Sequence, residues 1–147
     1  MVASTGEVGS DLLFEVDRFY ATQQMQLDSG DVEGFGKSFT EDATFALGAG
    51  DSVPGGRAGI VAVMRGLVER FQAAAVHRHH WFGMRQVDHS DDGAIRAVYY
   101  AIVSHTSSEG AVKLDPSSVV TDHLVRAADG ALAVRSRRIV LDLPGRA

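Results

Sequence analysis

The stretch Phe19-Tyr-Ala-Thr-Gln-Gln-Met-Gln-Leu-Asp-Ser-Gly-Asp-Val-Glu-Gly-Phe-Gly-Lys-Ser-Phe-Thr-Glu-Asp-Ala-Thr-Phe45 decides the fold. It continues an apolar spacing that begins upstream, with Leu12, Val16, Phe19, Tyr20 and Leu27 recurring at roughly helical intervals and Ser10 and Asp11 placed to cap. This first helix is expected to run to about Ser29. Its later face turns polar, since Gln23, Gln24 and Asp28 stand where a buried helix would carry aliphatics. Gly30 ends it, and Asp31 caps a short second helix through Phe39 that Gly34 and Gly36 weaken. Ala43 to Leu47 then alternates like a short strand.

Downstream, the turn-rich loop Gly48 to Gly56 leads into a third helix expected over about Arg57 to Ala74. Ile60, Val63, Met64, Leu67, Val68 and Phe71 form its apolar side. The remainder reads as strands: His77 to Asp88, Ala94 to Thr106, Ser117 to Arg126 and Leu132 to Leu143. Asp91-Asp92-Gly93, Ser107 to Gly110 and Asp129-Gly130 supply the turns. Helices first and a meander of antiparallel strands after is an α+β order, with the helices on one face of the sheet. A long sheet on so small a domain must curl, and a curled sheet closed by helices leaves a concave pocket of the kind that binds small molecules.

The 147 residues suit one domain over 10–147 behind a frayed tail at 1–9. A chain of this length buries roughly 70% of its unfolded surface. The apolar fraction of 45% and charged fraction of 22% are those of an ordinary globular protein. Lys and Arg total 14 against 19 Asp and Glu, a net charge of -5, which argues against nucleic acid and against an anionic membrane surface. The absence of cysteine excludes disulfides, thiolate nucleophiles and cysteine metal sites. No apolar run reaches the ~20 residues of a membrane span. Met1 to Gly9 lacks the pattern of a signal peptide, so the expected compartment is the cytoplasm.

Two motifs fail on spacing. Gly48, Gly50, Gly55 and Gly56 follow a strand and precede a helix, but a phosphate-binding G-x-G-x-x-G would need glycine at Val53, and no Lys-Ser/Thr pair follows. No G-x-S-x-G elbow is present. Four of the six histidines cluster: His77, His79, His80 and His89. On a strand His77 and His79 share one face and His80 takes the other. A zinc site on His77 and His79 would need a further ligand, such as His105 or Asp122, and no metal is expected.

The quoted stretch resembles the opening of SnoaL-like proteins of the NTF2-like superfamily: helix, L-D-x-G-D, short helix, F-T-x-D-A-x-F. Here these are Leu27, Asp28, Gly30, Asp31, Phe39, Thr40, Asp42, Ala43 and Phe45. Arg78-His-His-Trp81 is similar to the family's strand histidine, and Asp122 to Arg126, Asp129-Gly130 and Arg137 to Asp142 are similar to its closing hairpin. The resemblance implies a cone, a curved antiparallel sheet wrapped against about three helices around an internal pocket. It also implies work without a cofactor and a homodimer paired through the sheet, whose face would carry Val98, Tyr100 and Ile102.

By the same resemblance Asp28 matches the helix-1 aspartate that serves as base or proton relay. His80 or His79 matches the strand histidine, with His80 preferred because Trp81 follows it. Gln23 stands where dehydratase-like members carry tyrosine, and Met84 or Gly83 where they carry asparagine. Asp28 stands at a helix end, whose dipole opposes a carboxylate; against an apolar pocket such a group suits proton abstraction beside a carbonyl. A structural alternative has Asp28 pairing with a basic group or capping the second helix. Asp28, His80 and His79 are therefore the catalytic candidates, and Tyr20, Gln24, Trp81, Tyr99, Asp122 and Arg138 the substrate-binding ones. Strand alternation lets only one of Tyr99 and Tyr100, and one of Arg137 and Arg138, face inward. The expected function is a cofactor-independent cyclase or dehydratase, acting by general acid/base catalysis on a small polyketide-like intermediate of aromatic polyketide biosynthesis. The alternative is a non-catalytic ligand-binding or oligomerisation module resembling dioxygenase small subunits.

Overall fold

A computed structural model describes residues 8–50 and 52–144; most of the tail expected at the N-terminus lies outside them. The elements run α1 (Ser10–Asp28), α2 (Val32–Lys37), β1 (Phe39–Leu47), α3 (Gly56–Ala73), β2 (His77–His89), β3 (Ile95–Thr106), β4 (Val112–Leu114), β5 (Ser118–Arg126) and β6 (Leu132–Leu141). The strands form one open, curved sheet in the order β1-β6-β5-β3-β2, and β4 continues the line of β5 along β3. Every pair is antiparallel except β1 with β6, which is parallel, so the sheet is mixed where the sequence suggested an antiparallel one.

Two boundaries differ from the expectation. Phe39, placed at the end of the second helix by sequence, opens β1 and sits opposite Val134 of β6. The helix stops at Lys37, where the Ser38 hydroxyl donates to the Phe35 carbonyl oxygen. β4 was not expected, because all three of its residues are exposed and offer no alternation to read.

The core lies between the concave face of the sheet and the helices. Val16, Tyr20 and Leu27 of α1 and Ile60 of α3 meet Phe39, Tyr99, Val120, Leu124 and Val134 of the sheet. β3 shows the expected period of two, with Ile95, Ala97, Tyr99 and Ala101 buried. β5 does the same with Ser118, Val120, Asp122 and Leu124. Gln23 and Gln24 are buried despite their polarity, at 0% and 6% exposure. A buried amide demands partners, and both find them in the site described next.

The glycine-rich loop before α3 is a steric requirement and not a phosphate cradle. Gly55 precedes the helix in the left-handed region at φ +90°, and a Cβ on Gly59 would run into the Pro54 carbonyl oxygen. At this junction with α3 the positive φ of Gly55 and the close approach at Gly59 call for glycine, whereas Gly48 faces open space.

Candidate active site

β2 is an edge strand of the sheet, with α1 lying against it. Its even positions Arg78, His80 and Phe82 turn toward the helices, and its odd positions His77, His79 and Trp81 turn outward and are exposed. Asp28, the last residue of α1, meets His80 twice. The His80 backbone N–H donates to Asp28 Oδ2 at 3.1 Å, and His80 Nδ1 lies 2.6 Å from Asp28 Oδ1. A carboxylate only accepts, so Nδ1 is the donor to Asp28, and in the neutral form of the ring Nε2 then carries the lone pair. Both side chains are largely shielded, at 16% and 13% exposure.

Three hollows converge on this pair. A partly enclosed cavity of about 290 Å³ between sheet and helices is lined by His80 with Gln24, Arg78, Phe82, Val120 and Arg137. A groove of about 590 Å³ between α1 and β2 is lined by Asp28 and His80 with Tyr20, Gln24, His79 and Trp81. A third hollow of about 350 Å³ lies on the far side of Asp28, against α3. His80 lines all three, whereas Asp28 lines only the outer two.

Beneath the enclosed cavity runs a buried polar network. Asp122 and Arg137 face one another on β5 and β6. Asp122 accepts from Arg137 Nε at 2.9 Å and Nη2 at 2.8 Å, from the Tyr20 hydroxyl at 2.8 Å and from the Tyr99 hydroxyl at 3.0 Å. Gln23 Oε1 accepts from Arg137 Nη2 and from Gln24 Nε2, both at 2.8 Å, while Gln23 Nε2 donates to Ser38 Oγ at 2.7 Å. Burial and the Asp122 charge push the Tyr20 hydroxyl well above its ordinary range; burial does the same for Tyr99. Both remain phenols that donate to Asp122. Burial alone would lower Arg137, but the Asp122 carboxylate outweighs it and holds the guanidinium charged.

The candidate residues therefore separate into groups. Asp28, His80, Tyr20 and Gln24 come together around the groove, with His80 and Gln24 reaching the enclosed cavity as well. Asp122 and Tyr99 belong to the network behind that cavity and do not line it. Trp81 is 59% exposed on the outer face, where its indole N–H donates to Ser104 Oγ at 2.9 Å. His79 stands beside it, edge to face at 6.2 Å, so both touch only the outer groove. Arg138 is a correction: it is exposed and donates to the Gly48 carbonyl oxygen at 2.6 Å, and its neighbour Arg137 faces inward. The reason is a register shift opposite His123 and Leu124, where an extra residue of β6 breaks that strand's simple alternation while β5 keeps its own.

Arg78 was missed by the sequence reading, although the parity that selects His80 selects it too. It lines the enclosed cavity, its Nε is buried without a partner among the described residues, and its guanidinium lies 4.5 Å from the Phe71 ring centroid. Burial holds its pKa below the ordinary arginine value. Among the described residues no three His, Asp or Glu side chains converge as a metal site would require. No helix there is long and apolar enough to cross a membrane.

The family model of the SnoaL-like domain matches residues 13–138. A structure of Aln2 from a Streptomyces species is 38% identical with a TM-score of 0.85, covering 93% of this chain and 95% of that one. ActVI-ORFA from Streptomyces coelicolor is 36% identical with a TM-score of 0.83, covering 90% and 98%. A protein from Catenulispora acidiphila, solved in complex with S-DNPA, is 34% identical with a TM-score of 0.80, covering 91% and 96%. No curated protein matches the chain. The cone of helices and curved sheet agrees with these matches: the chain belongs to the SnoaL-like domain family of the NTF2-like superfamily.

Proposed function

We propose that the protein is a cofactor-independent cyclase or dehydratase that acts by general acid/base catalysis on a polyketide-like intermediate. The observation that carries this reading is the arrangement of His80. Asp28 holds it at both the backbone N–H and Nδ1, and His80 lines a partly enclosed, mostly apolar cavity. An imidazole fixed at Nδ1 by a carboxylate presents Nε2 as a base and stabilises the imidazolium that forms, the logic by which a third group orients a catalytic histidine. Asp28 thus acts as the orienting partner, while His80 meets the ligand. The binding of S-DNPA by the Catenulispora relative supports reading the cavity as a ligand site. At about 290 Å³ the enclosed part lies at the small end of ligand cavities, and the adjoining groove extends it.

The test is proton exchange on an enolisable aryl 1,3-diketone, benzoylacetone, in D2O. The wild type is expected to accelerate exchange of the protons between the carbonyls, and His80→Ala to lose that acceleration. Equal exchange by both proteins would remove the acid/base assignment. We also propose a homodimer, supported by the outward sheet face on which Trp81 opposes Ile102 and Tyr100 opposes Val119.

A further inference from the structure

Arg137 is held with unusual completeness on one side and left free on the other. Nε and Nη2 are committed to Asp122 and Gln23, at 2.8 to 2.9 Å. Nη1 has no hydrogen-bond partner among the described residues, and the side chain lines the same partly enclosed cavity as His80. The guanidinium lies among three aromatic rings, 5.4 Å from the centroid of Phe39, 5.8 Å from Phe82 and 6.0 Å from Phe45. Phe45, Phe82 and Val120 wall the cavity beside it, and a charged donor set among apolar side chains is worth more than one in open water.

The network behind Arg137 fixes its aim. Asp122 receives four donors, two from the guanidinium and two from tyrosine hydroxyls, which leaves it no capacity to act as a base. A carboxylate that only anchors is costly to bury. Replacing the pair with aliphatic side chains would keep the core and lose the donor. The burial of this ion pair is explained if the free edge of the guanidinium has work to do in the cavity.

We infer that Arg137 Nη1 is the donor for a ligand oxygen on which negative charge develops, with Asp122, Tyr20 and Tyr99 as positioning residues. The ligand class is then an enolisable ketone or a phenol. This inference rests on the proposed role of His80. His80 Nε2 takes the proton as the C–H bond beside the carbonyl breaks. The C–H electron pair becomes the new C=C bond, and the carbonyl π pair moves onto oxygen, where Nη1–H donates to it. No electron is gained or lost overall. Removal of one such donor in other enzymes lowers turnover by about 10² to 10³.

The experiment uses 4-nitrophenol, whose phenolate is visible by absorbance, titrated while bound to the full chain. The wild type is expected to lower the pKa of the bound dye by about one unit relative to free dye, a tenfold change in the ratio of its two forms. Arg137→Met combined with Asp122→Asn removes donor and buried charge together, so no uncompensated ion is left to unfold the core. This double variant should bind the dye with the shift abolished, while His80→Ala keeps it. A shift that survives in the double variant, or that disappears in His80→Ala alone, overturns the role of Arg137 and leaves the reading of His80 intact. A wild type that binds no dye overturns both.

Discussion

Asp28 commits both carboxylate oxygens to a single residue, so changing it should disturb chemistry more than folding. Asp28→Asn keeps the shape but removes the charge that stabilises a protonated His80. Turnover is expected to fall by about 10² to 10⁴, as is typical for acid/base groups, with melting temperature nearly unchanged. His80→Ala should lose a similar factor, and the double variant less than the product of the two, since both act in one step. Steady-state rates alongside thermal melts check this, and an Asp28→Asn variant with full turnover but a lowered melting temperature would leave Asp28 only a structural role. Tyr20 and Tyr99 give a second residue-scale expectation. Their folded pKa values are raised, so the stability they confer is fully present below about pH 10, the unfolded value, and is lost as pH rises through the folded values. Denaturant melts from about pH 9 to about pH 12, spanning that unfolded value, should show stability falling with pH. The fall should be shallower in Tyr20→Phe combined with Tyr99→Phe. The site was only half legible in sequence. Asp28 and His80 were legible through the family resemblance, which matches a helix-end aspartate and a strand histidine, while strand parity alone only set His80 apart from His77 and His79. Arg137 was not legible, because Leu132, Ala133 and Val134 are buried consecutively and the register slips beside His123, so parity counted from either end of β6 fails.

At the scale of elements, the periodic ones were the readable ones. α1 and α3 carry enough apolar repeats to declare themselves, and β3 alternates cleanly along its inner half. β1 hid its first half because Thr40, Glu41 and Asp42 are polar and its partner β6 lies at the far end of the chain, in a parallel pairing that no local turn signals. α3 provides the stability prediction. Ile60 is fully buried at the centre of the contact between this helix and the sheet. Ile60→Ala should cost about 2 to 5 kcal/mol through lost contacts and the cavity left behind. Chemical denaturation measures it, and a loss well below that range, under about 1 kcal/mol, would mean that α3 repacks freely.

At the scale of the whole molecule, one face of the sheet is already covered by helices and the other is open. Trp81 and Tyr100 are each 59% exposed there, with Leu114 of β4 close by in register. A contiguous apolar patch of that kind calls for a partner, and the proposed homodimer supplies it with a second copy. Light scattering should give twice the chain mass at tens of micromolar, on the order expected of a stable interface. Tyr100→Glu combined with Trp81→Glu should give the monomer with the acid/base pair undisturbed, because both side chains point away from the cavity. A wild type that is monomeric at that concentration removes the dimer while leaving the catalytic reading in place.

β2 is long and lies at the border of the sheet, where a row of free backbone groups invites a neighbouring strand. Two features interrupt that row. Asp28 occupies the His80 amide, and between Gly83 and Gln86 the strand bulges, with Met84 at φ +54°. Two residues of β2 there face one of β3, so the border bends and offers no straight template. The aspartate proposed to orient His80 thus also occupies a backbone donor that a neighbouring strand would need. Deleting Met84 would straighten the border without turning any side chain to the other face. The expected result is time-dependent turbidity on warming, in a protein whose fresh secondary structure matches the parent.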